Sequence, residues 1–336
     1  MSDLDVVRVD DLSTLREWHA VGVACYAADY VDLPQDPIEE FLPWLGDQPR
    51  EEDHEFWFGR LDGTPVVAGG IQLPLHDNLN TASIDLQTHP QWRRRGLGRA
   101  LLDALLDRVR EHGRSLVLAE SAHPFGGTVD DRPAAPLARA IGARSVLEEV
   151  RRTVDVAAAS DEQLDALRRD AAAKAAGYSL LTWTGEAPAG LRADLAALVA
   201  RMSTDAPQGD MKWDPEQWDA DRYVLREQML IAQGRRRTTT AARHDATGRL
   251  VAFTEILVNP TWPVGYQWDT LVAPEHRGHR LGLLVKAANL QAIRALSPAP
   301  RVLNTWNAAV NRHMIAINEA LGFRPVDVWT EWQLEL

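Results

Sequence analysis

The sequence predicts an α/β protein built from two copies of one domain. Three observations carry this. The chain has 336 residues, and at roughly 150 residues per domain that length suggests two domains. The segment DLQTHPQWRRRGLG from Asp85 matches DTLVAPEHRGHRLG from Asp269 without a gap, pairing Asp85 with Asp269, Pro90 with Pro274, Arg93 with Arg277 and Gly98 with Gly282, 184 positions apart. Val67 and Ala68 fall on Val251 and Ala252 at the same offset, and DPIEEF at Asp36 matches DPEQW at Asp214 with a small shift. Such a period is too long for a solenoid. The third observation is that strand-type and helix-type segments recur in the same order in both copies.

The first copy opens with the strand-like VVRV (6–9), followed by a helical region holding Trp18, Cys25 and Tyr26 and by a Pro-rich loop over 31–37. Residues 55–73 read as two strands joined at Asp62-Gly63, a hairpin signal. A further strand covers 81–89. Leu101, Leu102, Leu105, Leu106 and Val109 form one stripe, so 98–113 is an amphipathic helix ending at Gly113. A buried-type strand (115–121), a helix near 134–141 and a closing strand (151–156) complete the copy. Residues 157–176 read as a linker helix that begins with a Ser160/Gln163 capping pattern. The second copy restarts at 178–183 and repeats the order: a strand pair (238–258), a strand (265–272), a helix (281–296), a strand (301–306), a helix (308–321) and a final strand (326–334). The expected domains are therefore 1–156, a linker helix 157–176, and 177–336.

Composition narrows the function classes. The formal charge of −12 argues against a protein that coats nucleic acid, which needs clustered Lys and Arg. A single Cys, Cys25, excludes an internal disulfide framework and any Cys-rich zinc site. The ten His form no ligand-spaced cluster, so no metal is expected. No apolar run approaches the roughly 20 residues of a membrane helix. The acidic start, MSDLDVVRVDD, lacks the features of a signal peptide, which makes a cytoplasmic location the default.

In each copy a strand runs into a basic, Gly-bearing loop that opens an amphipathic helix: RRRGLG (93–98) and RGHRLG (277–282). Free N–H groups and the positive end of the helix dipole make such a place an anion cradle. Glycines let the backbone approach a ligand closely, and arginines add charge-assisted contacts. A single copy would read equally well as a solvated basic turn; duplication at matched positions points to function.

Arg93-x-x-Gly96-x-Gly98, with Pro90 upstream and a Leu-rich helix downstream, resembles the acyl-CoA signature of the GNAT acetyltransferase superfamily. The segment from Asn307 to Gly322–Phe323 resembles that family's later helix motif. The chain as a whole resembles a tandem GNAT protein, with a double architecture similar to that of the mycothiol synthases. The resemblance implies two tandem GNAT (acyl-CoA N-acyltransferase) domains, each a mixed, mostly antiparallel splayed sheet flanked by helices. It implies acetyl-CoA as acyl donor and a small-molecule amine as acceptor, attacked directly. The pyrophosphate would sit on Arg93, Arg94, Arg95, Gly96 and Gly98 in one copy, and on Arg277, Gly278, His279, Arg280, Leu281 and Gly282 in the other. The pantetheine arm would pair near Gln87–Thr88 or Leu271–Val272, where a backbone N–H near Val272 would polarise the thioester carbonyl. Asn307 would cap the following helix and reach the cofactor.

Two departures qualify the match. Arg280 stands where the first motif glycine belongs, and the family's Tyr four residues before the late Gly is replaced by Asn318 and Ala138. The second copy keeps the fuller late motif and holds eight of the twelve Trp, and its loop 205–223 mixes Trp with acids as an amine pocket would. It is the expected catalytic half, the first copy being the degenerate one. Asp269 and then Glu255 are the candidate bases for deprotonating the amine, with Asp85 the counterpart of Asp269. Two other readings compete. One is a non-catalytic acyl-CoA sensor or scaffold, motivated by the missing Tyr. The other is a dinucleotide-binding oxidoreductase, motivated by Gly96-x-Gly98 and Glu120 but opposed by Leu101 at the third glycine position.

Overall fold

The structure is a computed structural model describing residues 4–296 and 298–336; the first three residues of the acidic N-terminal stretch lie outside it. The chain divides into two compact units that are not consecutive in sequence. Unit 1 holds the described residues up to Glu149, together with Gly209–Lys212 and Asp327–Leu336; unit 2 holds Val150–Gln208 and Trp213–Val326.

Unit 1 contains β1 (Asp5–Arg8), α1 (Leu12–Asp29), β2 (Glu52–Leu61), β3 (Thr64–Pro74), β4 (Thr81–Thr88), α2 (Leu97–Glu111), β5 (Leu116–Pro124) and α3 (Ala134–Ala140). β6 (Arg144–Asp155) passes from unit 1 into unit 2. Unit 2 continues with α4 (Asp161–Ala172), β7 (Tyr178–Thr184), α5 (Arg192–Ala200), α6 (Met202–Asp205), α7 (Ala220–Ala232), β8 (Arg236–His244), β9 (Leu250–Val258), β10 (Val264–Val272), α8 (Leu281–Arg294), β11 (Val302–Ala308) and α9 (Arg312–Ala320). The last strand, β12 (Arg324–Glu335), belongs to unit 1 from Asp327 onward. Each copy in the sequence thus ends on a strand that is wholly or partly used by the other unit.

The sheet order is β1-β2-β3-β4-β5-β12 in unit 1 and β6-β11-β10-β9-β8-β7 in unit 2. Most pairs are antiparallel. The exceptions that matter are β4/β5 and β10/β11, which are parallel and short. β4 meets β5 only over Thr81–Ser83 with Leu116–Leu118, and β10 meets β11 only over Val264–Tyr266 with Val302–Asn304. Beyond those residues the strands part, so each copy carries the expected splay.

Local signals account for the elements. The β2–β3 hairpin turns at Asp62 and Gly63, both with positive φ (50° and 76°), the geometry of a two-residue primed turn. α1 starts at Asp11, whose carboxylate accepts from Thr14 N at 2.7 Å in a capping box. α2 buries its whole Leu/Val stripe against β3 and β4, each such side chain contributing roughly 1.5–3 kcal/mol.

Two helices differ from the sequence expectation. The linker helix is shorter, Asp161–Ala172, and begins where Ser160 Oγ accepts from Gln163 N at 3.1 Å. It is no free connector: Leu164 and Ala171 enter the unit 2 core against α8, which is why residues 281–290 of α8 are buried on every side. The last helix begins at Arg312 rather than near 308, because Asn311 caps it by accepting from Met314 N at 3.2 Å.

Candidate functional site

The two cradles share one backbone. Each loop has two left-handed positions, two residues apart, just before the helix. In the first they are Arg94 (φ 63°) and Gly96 (φ 81°); in the second, Gly278 (φ 86°) and Arg280 (φ 55°). Glycine thus occupies one left-handed position per loop, and which one is exchanged. Arg280 keeps the turn that Gly96 makes, at the steric cost a side chain meets there. The glycine inside each helix start is needed for close packing. A Cβ on Gly98 would lie 2.9 Å from Thr88 Oγ1, and one on Gly282 would lie 3.2 Å from Ile317 Cδ1.

The first arginine of each motif acts as a brace. Arg93 Nε donates to Thr88 O at 3.0 Å and Arg277 Nε to Val272 O at 3.2 Å. Their remaining nitrogens hold acids: Arg93 holds Asp29 at 2.9 and 2.5 Å, and Arg277 holds Asp205 at 3.2 Å. Both side chains are therefore committed to shaping the loop, which leaves anion contact to the backbone and to the later arginines.

What lies around the cradles differs. At the start of α2, Leu97 and Gly98 are half-buried, Arg99 and Ala100 are exposed, and no side chain caps the helix. A Cβ on Gly96 would meet open space. Arg94 is exposed and has no partner among the described residues, while Arg95 lies over the Trp92 ring at 4.7 Å. The loop Arg277–Arg280 is exposed too, a Cβ on Gly278 would meet open space and no side chain caps α8, but Leu281 through Leu284 are all buried. Arg280 pairs with Asp170 of α4, His279 Nδ1 sits 3.3 Å from Lys174 O, and Ile317 of α9 leans over Gly282. Tyr178 packs on His279, and its hydroxyl is 2.9 Å from His276 Nδ1.

The clefts differ as well. In the first copy β3 and β4 pair in regular register through Asp85, whose carboxyl projects from the face opposite the α2-packed Ile84. Asp85 is open to solvent yet crowded by protein, the position of a residue on the floor of a cleft. Desolvation, the main cause, and the nearby Glu120 charge push its carboxyl up to about 6. Next along the sheet, Glu120 of β5 lies directly across from Glu331 of β12. Burial and mutual repulsion push Glu331 up to about 10 and Glu149 up to about 7. None of Glu120, Glu149 and Glu331 has a cationic partner among the described residues.

In the second copy β10 bulges against β9 between Gln267 and Thr270, leaving Trp268 exposed. The two candidate bases do come together, but Arg226 of α7 bridges them, with Nη2 3.2 Å from Glu255 and 3.0 Å from Asp269. Glu255 has no exposed surface and also accepts from Tyr223 Oη at 3.0 Å, with Arg237 3.4 Å away. Glu255 is thus a fully buried carboxylate within a network of Tyr223, Arg226 and Arg237. Burial raises the Asp269 carboxyl, against the Arg226 charge.

Other expected residues fall as follows. Asn307 does not cap the next helix, which is the work of Asn311. It accepts instead from Asn318 Nδ2 at 2.5 Å, and Asn318 is itself wholly buried. Leu271 is buried in the unit 2 core, so only its backbone is available. Gln87 and Thr88 lie on the β4 edge facing the splay, and Gln87 Oε1 is buried without a partner. In the Trp/acid loop over 205–223, Trp213 and Trp218 both donate to Glu216 at 3.2 and 2.7 Å, while Asp205 is held by Arg277. Sequence reasoning missed Asp29, Tyr30, Arg226 and Asp170, none of which lies in a motif. Among the described residues no group of His, Cys, Asp and Glu could hold a metal ion, and no helix is long and apolar enough to cross a membrane.

Residues 16–125 match the family model described as Acetyltransferase (GNAT) family. The solved structure of a tandem GNAT protein from the clavulanic acid biosynthesis pathway is similar to this chain at 30% identity, covering 99% of this chain and 98% of that one with a TM-score of 0.78. A GCN5-related N-acetyltransferase from Sphaerobacter thermophilus shares the fold at 16% identity, covering 98% and 95% with a TM-score of 0.64. A comparison with curated proteins finds no match.

Proposed function

Since this chain belongs to the GNAT acetyltransferases, as a tandem member, we propose that its first copy transfers the acetyl group of acetyl-CoA directly to the amine of a basic small molecule. The observation that carries this reading is the bare N-terminus of α2, open to solvent beside a splayed strand pair with Asp85 on its floor. The residues fit the donor. The N–H groups from Gly96 onward and the free Arg94 suit a pyrophosphate. The β4 edge beyond Ser83 has no strand partner on the β5 side and suits a pantetheine arm added like a strand. This reverses the preference for the second copy, whose loop is exposed but whose first helical turn, Leu281–Leu284, is buried.

Acetyl-CoA supplies an acetyl group activated as a thioester. Asp85 receives the proton that the amine loses on attack; with its carboxyl held near 6 it is mostly ionised at neutral pH and still basic enough to act. The group of Glu120, Glu149 and Glu331 has no cation of its own among the described residues, and burial and mutual repulsion raise Glu149 and Glu331; a basic acceptor beside it would be favoured because its charge would let these carboxyls ionise. The bulge at Trp268–Asp269 favours a second reading, in which the second copy transfers acetyl with Asp269 as base.

The test is thiol release from acetyl-CoA across a panel of primary amines, with acetyl-CoA, CoA and NAD(P) binding followed by thermal shift. Stabilisation by CoA with amine-dependent thiol release is the expected result. Binding of NAD(P) without CoA would overturn the reading. CoA binding with no transfer to any amine would favour an acyl-CoA sensor.

A further inference from the structure

Neither copy has a tyrosine at the family's late-helix position, so the proton for the departing thiolate has no source in the motifs. The C-terminal end of α1 offers one. Asp29, its last residue, is held from both sides of the splay. Arg93, just after β4, grips its carboxylate at 2.9 and 2.5 Å; Arg132, after β5, binds its carboxylate at 3.0 Å and its carbonyl at 3.1 Å. The next residue, Tyr30, stacks on Trp329 of β12 at 5.5 Å and 15°. Trp329 lies directly across from Ala122 of β5. Consecutive residues therefore contact elements on the two sides of the gap between β4 and β5, and the α1 terminus spans that gap. The Tyr30 hydroxyl has no hydrogen-bond partner among the described residues, and its ring is half-buried.

We propose that Tyr30 is the general acid of the first copy, giving its phenolic proton to the CoA sulfur as the thioester breaks. The role rests on the acetyl-transfer reading above and supplies the step it lacks. The amine nitrogen bonds to the acetyl carbon, the carbon–sulfur bond breaks, and the electron pair leaves on sulfur, which takes the Tyr30 proton. The proton lost by the amine passes to Asp85 and returns through water to the Tyr30 oxygen, so the enzyme ends as it began.

The electrostatics suit this order of events. Burial and the charges of Asp85, Asp29, Asp327 and Glu120 hold the phenol well above its usual range, so it stays protonated while the site waits. When Asp85 takes up the amine proton its negative charge disappears, which removes one part of the opposition to a tyrosinate, while burial, the larger cause, remains. The stack on Trp329 fixes the ring over the gap.

The test compares wild type with Tyr30→Phe using two donors, acetyl-CoA and S-(4-nitrophenyl) thioacetate, whose thiol is acidic enough to leave without a proton. With acetyl-CoA, kcat should fall by about 30-fold or more while KM for acetyl-CoA changes by less than about threefold. With the activated donor, the deficit of the variant should shrink by about tenfold or more. A merely structural tyrosine would lower both donors alike, and that result overturns the role, as does a loss below about threefold with acetyl-CoA. Either outcome leaves the acetyl-transfer reading standing. A wild-type chain that acetylates no amine overturns both.

Discussion

Position for position, the two cradles are the same loop. Arg94 and Gly96 match Gly278 and Arg280, each pair left-handed, and Arg93 and Arg277 brace the same carbonyl position. What separates them is cover. Both loops are exposed, Arg94–Gly96 and Arg277–Arg280 alike, but the first turn of α2 is half-buried to exposed whereas Leu281–Leu284 of α8 are buried within their own copy. The same contrast runs down the clefts. Asp85 sits on an open floor, while Asp269 shares Arg226 with Glu255. Lys286 of α8 stands 184 positions from Leu102 of α2, so the second copy holds an amine where the first holds a core leucine. Both are buried, and no carboxylate among the described residues pairs with Lys286, which lies 5.9 Å from the Phe323 ring. A duplicated motif preserves backbone geometry more faithfully than access.

The largest expected effect tests that contrast at the base. Asp85→Asn should lower kcat by about 10³-fold, and Asp269→Asn by less than about fivefold. Equal losses, or the reverse order, would assign transfer to the second copy. The wild-type rate should rise with pH through about 6, as the Asp85 carboxyl loses its proton, and Asp85→Asn should abolish that limb.

Next in size is the buried lysine. Its pKa is pushed down to about 7 by burial alone, against 10.5 for an ordinary lysine. The unfolded chain binds a proton there between those two values and the folded chain does not, so stability should rise with pH from about 7 to about 10. Below 7 the penalty is fully present, on the order of 4 kcal/mol. Lys286→Met should recover much of it at neutral pH and remove that pH dependence, read by urea unfolding at several pH values. Leu102→Lys should impose a comparable penalty on the first copy.

A smaller effect separates the cradles by ligand. Arg94→Ala should weaken acetyl-CoA binding by about five- to tenfold, most clearly at low salt, in a calorimetric titration. Arg280→Ala should leave that titration within about twofold. Smallest is the exchange of turn residues: Gly96→Ala should destabilise by about 1 kcal/mol, and Arg280→Gly should be neutral or stabilising by a few tenths, because the strain it relieves exceeds an exposed ion pair. Thermal scans give the sign of each.

Much of this was legible beforehand. The duplication, the splayed sheet, the two cradles and the α2 stripe follow from residue types at fixed local spacings. Arg280 in place of glycine was visible as a departure, and the structure adds that it still adopts the glycine-like turn. The preference for the second copy came from counting Trp residues and motif completeness. Neither count shows that the indoles of Trp213 and Trp218 donate to Glu216, or that Arg226, a residue in no motif, bridges both candidate bases. Asn307 was misplaced by one helical turn because Asn311, four residues on, is the better-placed cap.

By itself, then, the sequence determined that this is an acidic chain of two related α/β copies, each with a basic, glycine-bearing loop opening a helix, since caps, hairpin turns, periodic stripes and glycine positions act within a few residues. Only the tertiary structure decided what packs on each helix start. That depends on α4 packing along α8, on Asp170 reaching Arg280, and on the last strand joining the first unit to place Trp329 and Glu331 beside Tyr30 and Glu120. These contacts join residues tens to hundreds of positions apart, and no local pattern carries their energy.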